Sequence, residues 1–325
     1  MKASQKRCNE MATTLYYASD VHGSNRCFRK FLNAAKFYKA AILVMGGDIL
    51  GKAIVFLEET RPGVFVTKER GQRLELTSES EVQEYEKVAS DKGLYPYRCR
   101  EGEQDALYAS GAVEALFERL MKARLEEWIM LADERLAGTG VRCYMMGGND
   151  DPPAVLEALE GGRMVCNPEG APVQLDDDSE MISLGWSNPT PWNTPRECSE
   201  DELARRIDAL MKQVKRPDAL VMNLHVPPYG SGLDDAPELN ADLKVQSSLG
   251  QTRFKPVGST AVRAAIERYQ PLLGLHGHIH EAHASCKIGR TVCINPGSDY
   301  GEGVLHGVLA TLHKGKLRGY QMVSG

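Results

Sequence analysis

Short runs of consecutive apolar residues, many of them ending in glycine or a polar residue, recur along this chain. Runs of this kind predict strands that are buried on both faces of a sheet. The predicted strands are Thr14–Ser19, Ala41–Met45, Val141–Met146, Met181–Trp186, Ala219–Leu224, Leu272–Leu275, Arg290–Asn295 and Gly307–Leu312. Because polar side chains follow several of these strands, we expect the chemistry on loops that leave one edge of the sheet.

Helical periodicity occurs between these strands. The apolar positions of residues 25–38 predict a helix with one buried side. A capping box at residues 199–202 predicts the start of a second helix, whose apolar residues line one face. Strands and helices in a chain of 325 residues are consistent with a large α/β core that carries an insertion.

The segment from residue 52 to residue 140 lies between two similar strand units, Ala41–Met45 and Val141–Met146, and its sequence pattern differs from theirs. It begins with hairpin-like sequence, with turns predicted at 62–63 and 70–71, and continues with a capping box at 78–81. A longer helix is predicted over 112–136. We interpret residues 52–140 as an insertion within a domain spanning 13–325, either a surface elaboration or a cap that helps to shape the substrate site.

Composition and charge narrow the class of protein. Hydrophobic residues at 42% and charged residues at 26% are typical of a soluble globular protein, and the apolar runs are shorter than a membrane helix needs. The formal net charge of −5 gives no general electrostatic attraction for nucleic acid, which disfavours a nuclease. We expect neither membrane nor nucleic acid as a partner, and the sequence does not indicate an oligomeric state.

Residues 1–12 resemble a loose polar tail, because basic residues occur there without the apolar core of a signal peptide. The 8 cysteines form no Cys-x-x-Cys pair, so a reducing cytoplasm is expected. Cys286 and Cys293 flank a predicted hairpin turn and are expected to face each other as free thiols.

Metal-binding side chains follow the predicted strands at five places. The candidate ligands are Asp20, His22, Asp48, Asn149, His225, His278 and His280. Each residue alone is weak evidence for a metal site, since a Gly-Asp pair is usually a turn. A single histidine after a strand is usually a residue at the edge of the sheet whose hydrogen bonds are satisfied. His278 and His280 are a stronger pair, because alternate residues of an extended segment point the same way. Mixed nitrogen and oxygen ligands suit manganese, iron or zinc better than calcium or magnesium.

The order of these motifs resembles the calcineurin-like metallophosphoesterases. The matching segments are Asp20-Val21-His22-Gly23, Gly46-Gly47-Asp48, Gly148-Asn149-Asp150-Asp151, His225 and Gly277-His278-Ile279-His280. Ser187–Trp192 and Asn295–Ser298 are further similar to the prokaryotic, Icc-like phosphoesterases. The resemblance implies a four-layer α/β/β/α sandwich of two mixed sheets, with two metals at the carboxyl edge of the sheets.

The resemblance also implies how the ligands are shared. Asp20, His22, Asp48 and His280 would hold one divalent ion, whereas Asp48, Asn149, His225 and His278 would hold the second. Manganese is expected first, with iron, zinc or nickel as alternatives. Two ions about 3.5–4 Å apart lower the pKa of a bridging water and neutralise charge on a phosphate ester. A small phosphomonoester or phosphodiester is therefore the expected substrate.

One position departs from the family pattern. A histidine that is proposed to protonate the leaving group often follows the asparagine, but Asp150 stands here, and Asp151 matches the acidic residue that steadies that histidine. An ordinary aspartate, with a pKa of about 3.9, is a poor acid at neutral pH. Asn149, Asp150 and Asp151 are the catalytic candidates, with Asp150 as a supporting group or weak acid and Asp151 alternatively as a helix cap.

Three further residues are weaker candidates. His276 could substitute as a proton donor but fits a core histidine better, His306 shows no informative spacing, and Tyr229 lies in a long polar loop of the kind that contacts substrates. A different function also fits the altered Asp150, namely a scaffold that keeps the fold and binds partners with little catalysis. Metal content separates that alternative from a phosphoesterase.

Overall fold

The computed structural model describes residues 12–69, 71–240, 242–248 and 251–325. Residues 1–11 of the predicted polar tail lie outside the described residues. Arg70 of one predicted turn also lies outside them. Across the described ranges, no helix has the length and apolar character required to cross a membrane.

Two six-stranded mixed sheets form the centre of the fold. In spatial order the first contains β20 (Lys316–Ser324), β19 (His306–His313), β1 (Thr13–Ala18), β2 (Ile42–Gly46), β7 (Arg142–Met146) and β8 (Val165–Cys166). The second contains β17 (Ala284–Ile288), β18 (Thr291–Asn295), β16 (Leu273–Leu275), β11 (Leu220–Leu224), β10 (Glu180–Leu184) and β9 (Val173–Gln174). In the first sheet β1, β2, β7 and β8 pair parallel, and β19 pairs antiparallel with both β1 and β20. In the second sheet β18, β16, β11 and β10 pair parallel, and β17 and β9 pair antiparallel at the two edges.

The eight predicted strands are confirmed to within about two residues at each end. Strands β2, β10 and β11 are buried along their whole length, which explains why they read as continuous apolar runs. Strand β20 was not predicted, because most of its side chains are exposed and its sequence lacks such a run.

Seven α-helices are described: α1 (Asn25–Phe37), α2 (Glu79–Asp91), α3 (Glu103–Ser110), α4 (Val113–Leu136), α5 (Pro153–Leu156), α6 (Glu200–Met211) and α7 (Thr260–Tyr269). Short 3₁₀ helices occupy Glu157–Gly161, Pro217–Ala219 and Tyr300–Glu302. The predicted caps are confirmed, since the hydroxyl of Ser78 accepts from the backbone N–H of Glu81 and that of Ser199 from Glu202. Helices α3 and α7 were not predicted.

The packing is compatible with the predicted sandwich. One buried cluster combines side chains of both sheets, including Leu15 and Val44 of the first sheet and Val221 and Ile294 of the second. Helices α1 and α4 cover the first sheet through a separate cluster, and α6 and α7 cover the second through another. The molecule is therefore an α/β protein whose mixed sheets carry helices on them.

Residues 52–140 build a four-stranded sheet of their own. Its order is β5 (Gln72–Leu76), β4 (Val64–Glu69), β3 (Ala53–Arg61) and β6 (Leu94–Arg100). Helix α4 leaves this sheet and packs on the core, where the rings of Trp128 and Phe28 stack with centroids 4.2 Å apart. The division of the chain into a core and an inserted lobe stays a prediction.

Two smaller features complete the fold. The long polar loop before α7 contains two short ladders, one between β12 (Asp235–Pro237) and β15 (Phe254–Pro256) and one between β13 (Ser247–Ser248) and β14 (Gln251–Thr252). In the hairpin of β17 and β18, Cys286 and Cys293 are directly opposite each other and are free thiols, as predicted.

Candidate metal centre

Two loops at the carboxyl ends of β1 and β2 lie side by side and carry three candidate ligands. The backbone N–H of Asp20 donates to the carbonyl of Gly47 at 3.0 Å, and that of His22 donates to the carbonyl of Asp48 at 3.0 Å. These bonds continue the parallel pairing of the strands beyond their ends. The carboxylates of Asp20 and Asp48 and the ring of His22 are thereby held at one edge of the sheet.

Four candidate ligands have left-handed backbone conformations. The φ angles are 56° at Asp20, 39° at His22, 48° at Asp48 and 69° at His278. Aspartate and histidine adopt this region more readily than most residues, but each instance still costs on the order of 1–3 kcal/mol and persists only where the surroundings enforce it. Concentration of such residues at one edge of the fold is typical of a functional site.

The first donor group consists of Asp20, His22 and His280. The Nε2 atoms of His22 and His280 are 3.0 Å apart, and Nε2 of His280 is 3.5 Å from Oδ1 of Asp20. All three side chains therefore direct ligand atoms into one small space.

The second donor group consists of Asp48, His225 and His278, and Asn149 completes it. Nε2 of His225 lies 3.4 Å from Oδ1 of Asp48 and 3.1 Å from Oδ1 of Asn149. The same amide oxygen is 2.7 Å from Nδ1 of His278. Oδ2 of Asp48 also lies 3.7 Å from Nε2 of His22, so the Asp48 carboxylate lies between the two groups.

Backbone carbonyls orient two of the imidazoles. Nδ1 of His22 is 3.3 Å from the carbonyl of Leu50, and Nδ1 of His225 is 3.0 Å from the carbonyl of Gly46. Since a carbonyl only accepts, each Nδ1 carries the proton and each Nε2 points into the site. Bonds of this kind fix the ring and the tautomer of metal-binding histidines.

The amide of Asn149 is oriented by a loop that sequence reasoning did not assign to the site. Its nitrogen donates to Oγ1 of Thr194 at 2.9 Å, and that hydroxyl in turn donates to Glu197 at 2.6 Å. The amide oxygen is consequently directed towards His225 and His278. This arrangement presents Asn149 as an oxygen donor.

Other contacts brace the loop that carries His278 and His280. The side-chain nitrogen of Asn295 donates to the carbonyls of Gly277 at 2.9 Å and Ile279 at 3.0 Å. The hydroxyl of Ser298 donates to the carbonyl of Asp20 at 2.6 Å. The Asn295–Ser298 segment noted in the sequence thus connects the donor loops of the two sheets.

Charge and burial set the protonation of the ligands. Burial lowers the pKa of His22 to about 3 and that of His278 to about 4. Burial also opposes charge on His225, but the carboxylates of Asp48 and Asp20 outweigh it and raise its pKa to about 9. The imidazolium of His225 in turn helps to hold the pKa of Asp48 well below its usual range, against the effect of burial.

Asp150 lies beside the donor groups but is paired with a cation. Nζ of Lys52 is 2.7 Å from its Oδ2, while the side-chain nitrogen of Asn149 donates to its Oδ1 at 3.1 Å. Burial and the charge of Asp48 raise the pKa of Asp150, and Lys52 opposes that rise. Asp150 is close enough to His22 and Asp48 to form a third possible donor group, yet both of its oxygens already accept from neighbouring side chains.

Asp151 is fully buried and connects two loops. Its carboxylate accepts from the backbone N–H groups of Ile49 at 2.9 Å, Leu50 at 2.8 Å and Gly148 at 2.6 Å. Burial and the charge of Asp48 raise its pKa to about 7 in spite of these bonds. It makes no cap bond to helix α5, so the helix-cap interpretation is wrong.

The weaker candidates lie in different settings. His276 is fully buried with Nδ1 2.8 Å from the carbonyl of Leu224, which fits a core histidine. Nε2 of His306 is 2.8 Å from Asp299. Tyr229 is 43% exposed, and its backbone carbonyl accepts from Arg263 at 3.1 Å.

Four residues at or near the site were not predicted from the sequence. Lys52 follows the Asp48 loop, Thr194 orients Asn149, and the ring of Tyr300 is 4.8 Å from that of His22 between centroids. Arg124 of helix α4, also missed, donates to the carbonyl of Gly23 at 2.7 Å from a buried position. Of these residues, only Lys52 could have been suspected from the sequence, because it follows a motif loop closely.

The donor set fits divalent transition metals. Four imidazoles, two carboxylates and one amide oxygen converge at the carboxyl ends of strands from both sheets. Four of these residues have left-handed backbone conformations. Such a mixture of nitrogen and oxygen donors suits manganese, iron, zinc or nickel. No residue of the segment 52–140 occurs in the described donor groups.

Comparisons with known proteins support the fold. No protein-family model matches the chain. The uncharacterised protein MJ1162 of Methanocaldococcus jannaschii is 28% identical over 151 residues, which is 46% of this chain and 61% of that protein. The structure of TT1561 from Thermus thermophilus superposes with a TM-score of 0.54 at 13% identity, covering 97% of this chain and 99% of its own.

A further crystal structure superposes with a TM-score of 0.57 at 16% identity and covers 96% of this chain and 99% of its own. Near-complete coverage in both directions shows that the overall fold is shared. At these identities the likeness extends to the fold alone.

Proposed function

We propose that this protein is a phosphoric ester hydrolase that works with two divalent metal ions and belongs to the calcineurin-like superfamily, close to the Icc-like phosphoesterases. The observation that carries the proposal is the pair of adjacent donor groups on either side of the Asp48 carboxylate. Asp20, His22 and His280 would hold one ion with Asp48. Asn149, His225 and His278 would hold the other with Asp48.

Metal ions bound there would supply Lewis-acid activation of water and neutralisation of phosphate charge. The protein's own contribution is to fix the donors before the substrate arrives. Left-handed loops, carbonyl-oriented imidazoles and the Thr194 contact to Asn149 all restrict the ligand atoms. Restricted ligands lower the cost of reorganisation during the reaction.

We assign different functions to the three catalytic candidates. Asn149 is a metal ligand that also holds Asp150 through its amide nitrogen. Asp150 is a supporting group that positions Lys52. Asp151 is a positioning residue, because its carboxylate binds three backbone N–H groups of the ligand-bearing loops.

Metal analysis combined with hydrolysis tests the proposal. Protein freed of metal by a chelator would be reloaded with manganese, zinc, iron or nickel, and its metal content measured by elemental analysis. The same samples would be assayed with 4-nitrophenyl phosphate and bis(4-nitrophenyl) phosphate. We expect about two ions per chain and metal-dependent hydrolysis. Two bound ions without hydrolysis of either ester would favour the scaffold alternative, and no bound metal would refute the proposal.

A further inference from the structure

The residue that departs from the family pattern is paired with a lysine that no motif contains. Nζ of Lys52 is 2.7 Å from Oδ2 of Asp150, and the lysine side chain is 47% exposed. Because Lys52 is half-exposed while Asp150 is 19% exposed, water screens the pair from the lysine side and its contribution to the stability of the fold is small. Stability alone therefore does not account for an ammonium group at this position.

The loop that carries Lys52 is unusually well fixed. Three successive backbone N–H groups before it donate to buried side chains, those of Ile49 and Leu50 to Asp151 and that of Gly51 to the hydroxyl of Tyr95 at 2.8 Å. The backbone that immediately precedes Lys52 is thus held in place by buried groups. A lysine on such a loop presents its charge at a defined position.

The ammonium group lies near both donor groups. Its partner Asp150 has a carboxylate oxygen that lies within 4.8 Å of the ligand atoms of His22 and Asp48. The ring of Tyr300 packs against those of His22 and His280 at the same side of the ligands. Lys52 therefore faces the space in front of the ligands and remains accessible to a substrate.

Charge balance indicates which ester fits. With two divalent ions in place, the charge of the ions exceeds that of the ligand carboxylates Asp20 and Asp48 by two, and Lys52 and Asp150 cancel each other. The buried Asp151 carboxylate is bound by three backbone N–H groups and is not counted among the ligands. A terminal phosphate carries two negative charges and matches this excess, whereas a diester carries one. An ammonium group is also a common point-charge partner for phosphate oxygens.

Resting on the proposed function, we infer that Lys52, positioned by Asp150, binds a non-bridging oxygen of the phosphoryl group and makes the site selective for phosphomonoester dianions over diesters. The lysine acts as a hydrogen-bond donor and a fixed charge and transfers no proton. In this arrangement Asp150 is a positioning residue, and its carboxylate does not contact the substrate.

The test compares two esters that share a leaving group and differ by one charge, 4-nitrophenyl phosphate and methyl 4-nitrophenyl phosphate. The variants are Lys52→Met, which keeps the length of the side chain and removes its charge, and Lys52→Arg, which keeps the charge. Lys36→Met on the exposed face of α1 is the matched control. Affinity for inorganic phosphate is measured separately by calorimetry on the manganese-loaded proteins, together with their metal content.

We expect Lys52→Met to weaken phosphate binding about 10- to 100-fold and to lower kcat/KM for the monoester similarly, as loss of a charged hydrogen bond implies. The methyl diester should change by less than about threefold, metal content should stay the same, and Lys52→Arg should retain much of the affinity. Unchanged phosphate affinity in Lys52→Met, or an equal loss on both esters, would overturn the inference. If the unmodified protein binds phosphate but hydrolyses neither ester, the proposed function fails, while the phosphate measurements still decide the lysine's role.

Discussion

The Nε2 atoms of His22 and His280 lie 3.0 Å apart, although 258 positions separate the two residues in the chain. His22 keeps its proton on Nδ1, which faces the carbonyl of Leu50, so its Nε2 offers a lone pair towards His280. Two imidazoles arranged in this way, with the carboxylate of Asp20 beside them, form a site that a cation would complete.

Changing Asp48 to Ala should reduce activity more than changing either His22 or His280 to Ala. The Asp48 carboxylate lies between the two donor groups, with one oxygen towards His22 and the other towards His225, whereas His22 and His280 both belong to the first group. The rates of the three variants at saturating manganese check this, with metal content measured in parallel. Near-normal rates for Asp48→Ala would show that the ligand assignment is wrong.

Metal uptake should release protons, mainly from His225. Its pKa is raised to about 9 in the metal-free site, so at about pH 7.5 the ring is protonated and must lose that proton to bind a metal. His22 and His278, whose pKa values are lowered to about 3 and about 4, are already neutral and contribute none. His280, whose pKa is also raised, adds a further fraction.

Calorimetric titrations with manganese in two buffers of different ionisation enthalpy would measure this release. We expect about one proton per chain from His225 at about pH 7.5, decreasing as the pH rises through about 9. A His225→Gln variant is the control and should lose most of that release. Heats that do not depend on the buffer would contradict the prediction.

Changing Thr194 to Val should weaken metal binding about 10- to 100-fold, a typical cost of losing an outer contact to a ligand. Without the hydroxyl, the amide of Asn149 is free to rotate and its oxygen is no longer directed towards His225 and His278. Thr190→Val is a matched control, because the Thr190 hydroxyl also donates to Glu197 but does not contact Asn149. Equal manganese affinity of the two variants would show that the Thr194 contact does not orient the ligand.

Hydrolysis rates should fall steeply as the pKa of the leaving alcohol rises. Asp150 is engaged with Lys52 and Asn149, so we expect it not to donate a proton to the leaving group and general acid help worth about 10²–10⁴-fold to be lost. A series of substituted phenyl and alkyl phosphates measures the dependence. A weak dependence of rate on the leaving-group pKa that becomes steep in Asp150→Asn would instead identify Asp150 as the general acid. Its raised pKa would then favour the protonated carboxyl group that donates the proton.

Much of this architecture is predictable from the sequence, because the strands and the donor residues are marked by the local sequence itself. Strands such as β2 and β11 are buried on both faces, so their apolar runs identify them without tertiary information. The donor residues follow those strands directly, and the carboxyl ends of parallel strands meet at one edge. The structure accordingly brings all seven candidate ligands together, and their identity as metal ligands stays a prediction that elemental analysis decides.

The missed residues depend on contacts between distant segments. Thr194 is one polar residue in a loop rich in proline and threonine, and only the folded chain shows which hydroxyl reaches Asn149. Arg124 lies on a helix whose spacing predicts nothing about its bond to Gly23. Strand β20 has an exposed, largely polar sequence, and it forms because β19 offers an open edge.

The pairing of β1 with β19 has a consequence for how the protein is made. Strand β1 pairs with a strand whose residues follow it by almost 300 positions, and 258 positions separate the ligands His22 and His280. A growing chain on the ribosome therefore carries Asp20, His22 and Asp48 long before their partners have been synthesised. Incomplete chains would expose these side chains without the second sheet, so the full set of metal ligands can assemble only after the loop that carries His278 and His280 has been synthesised.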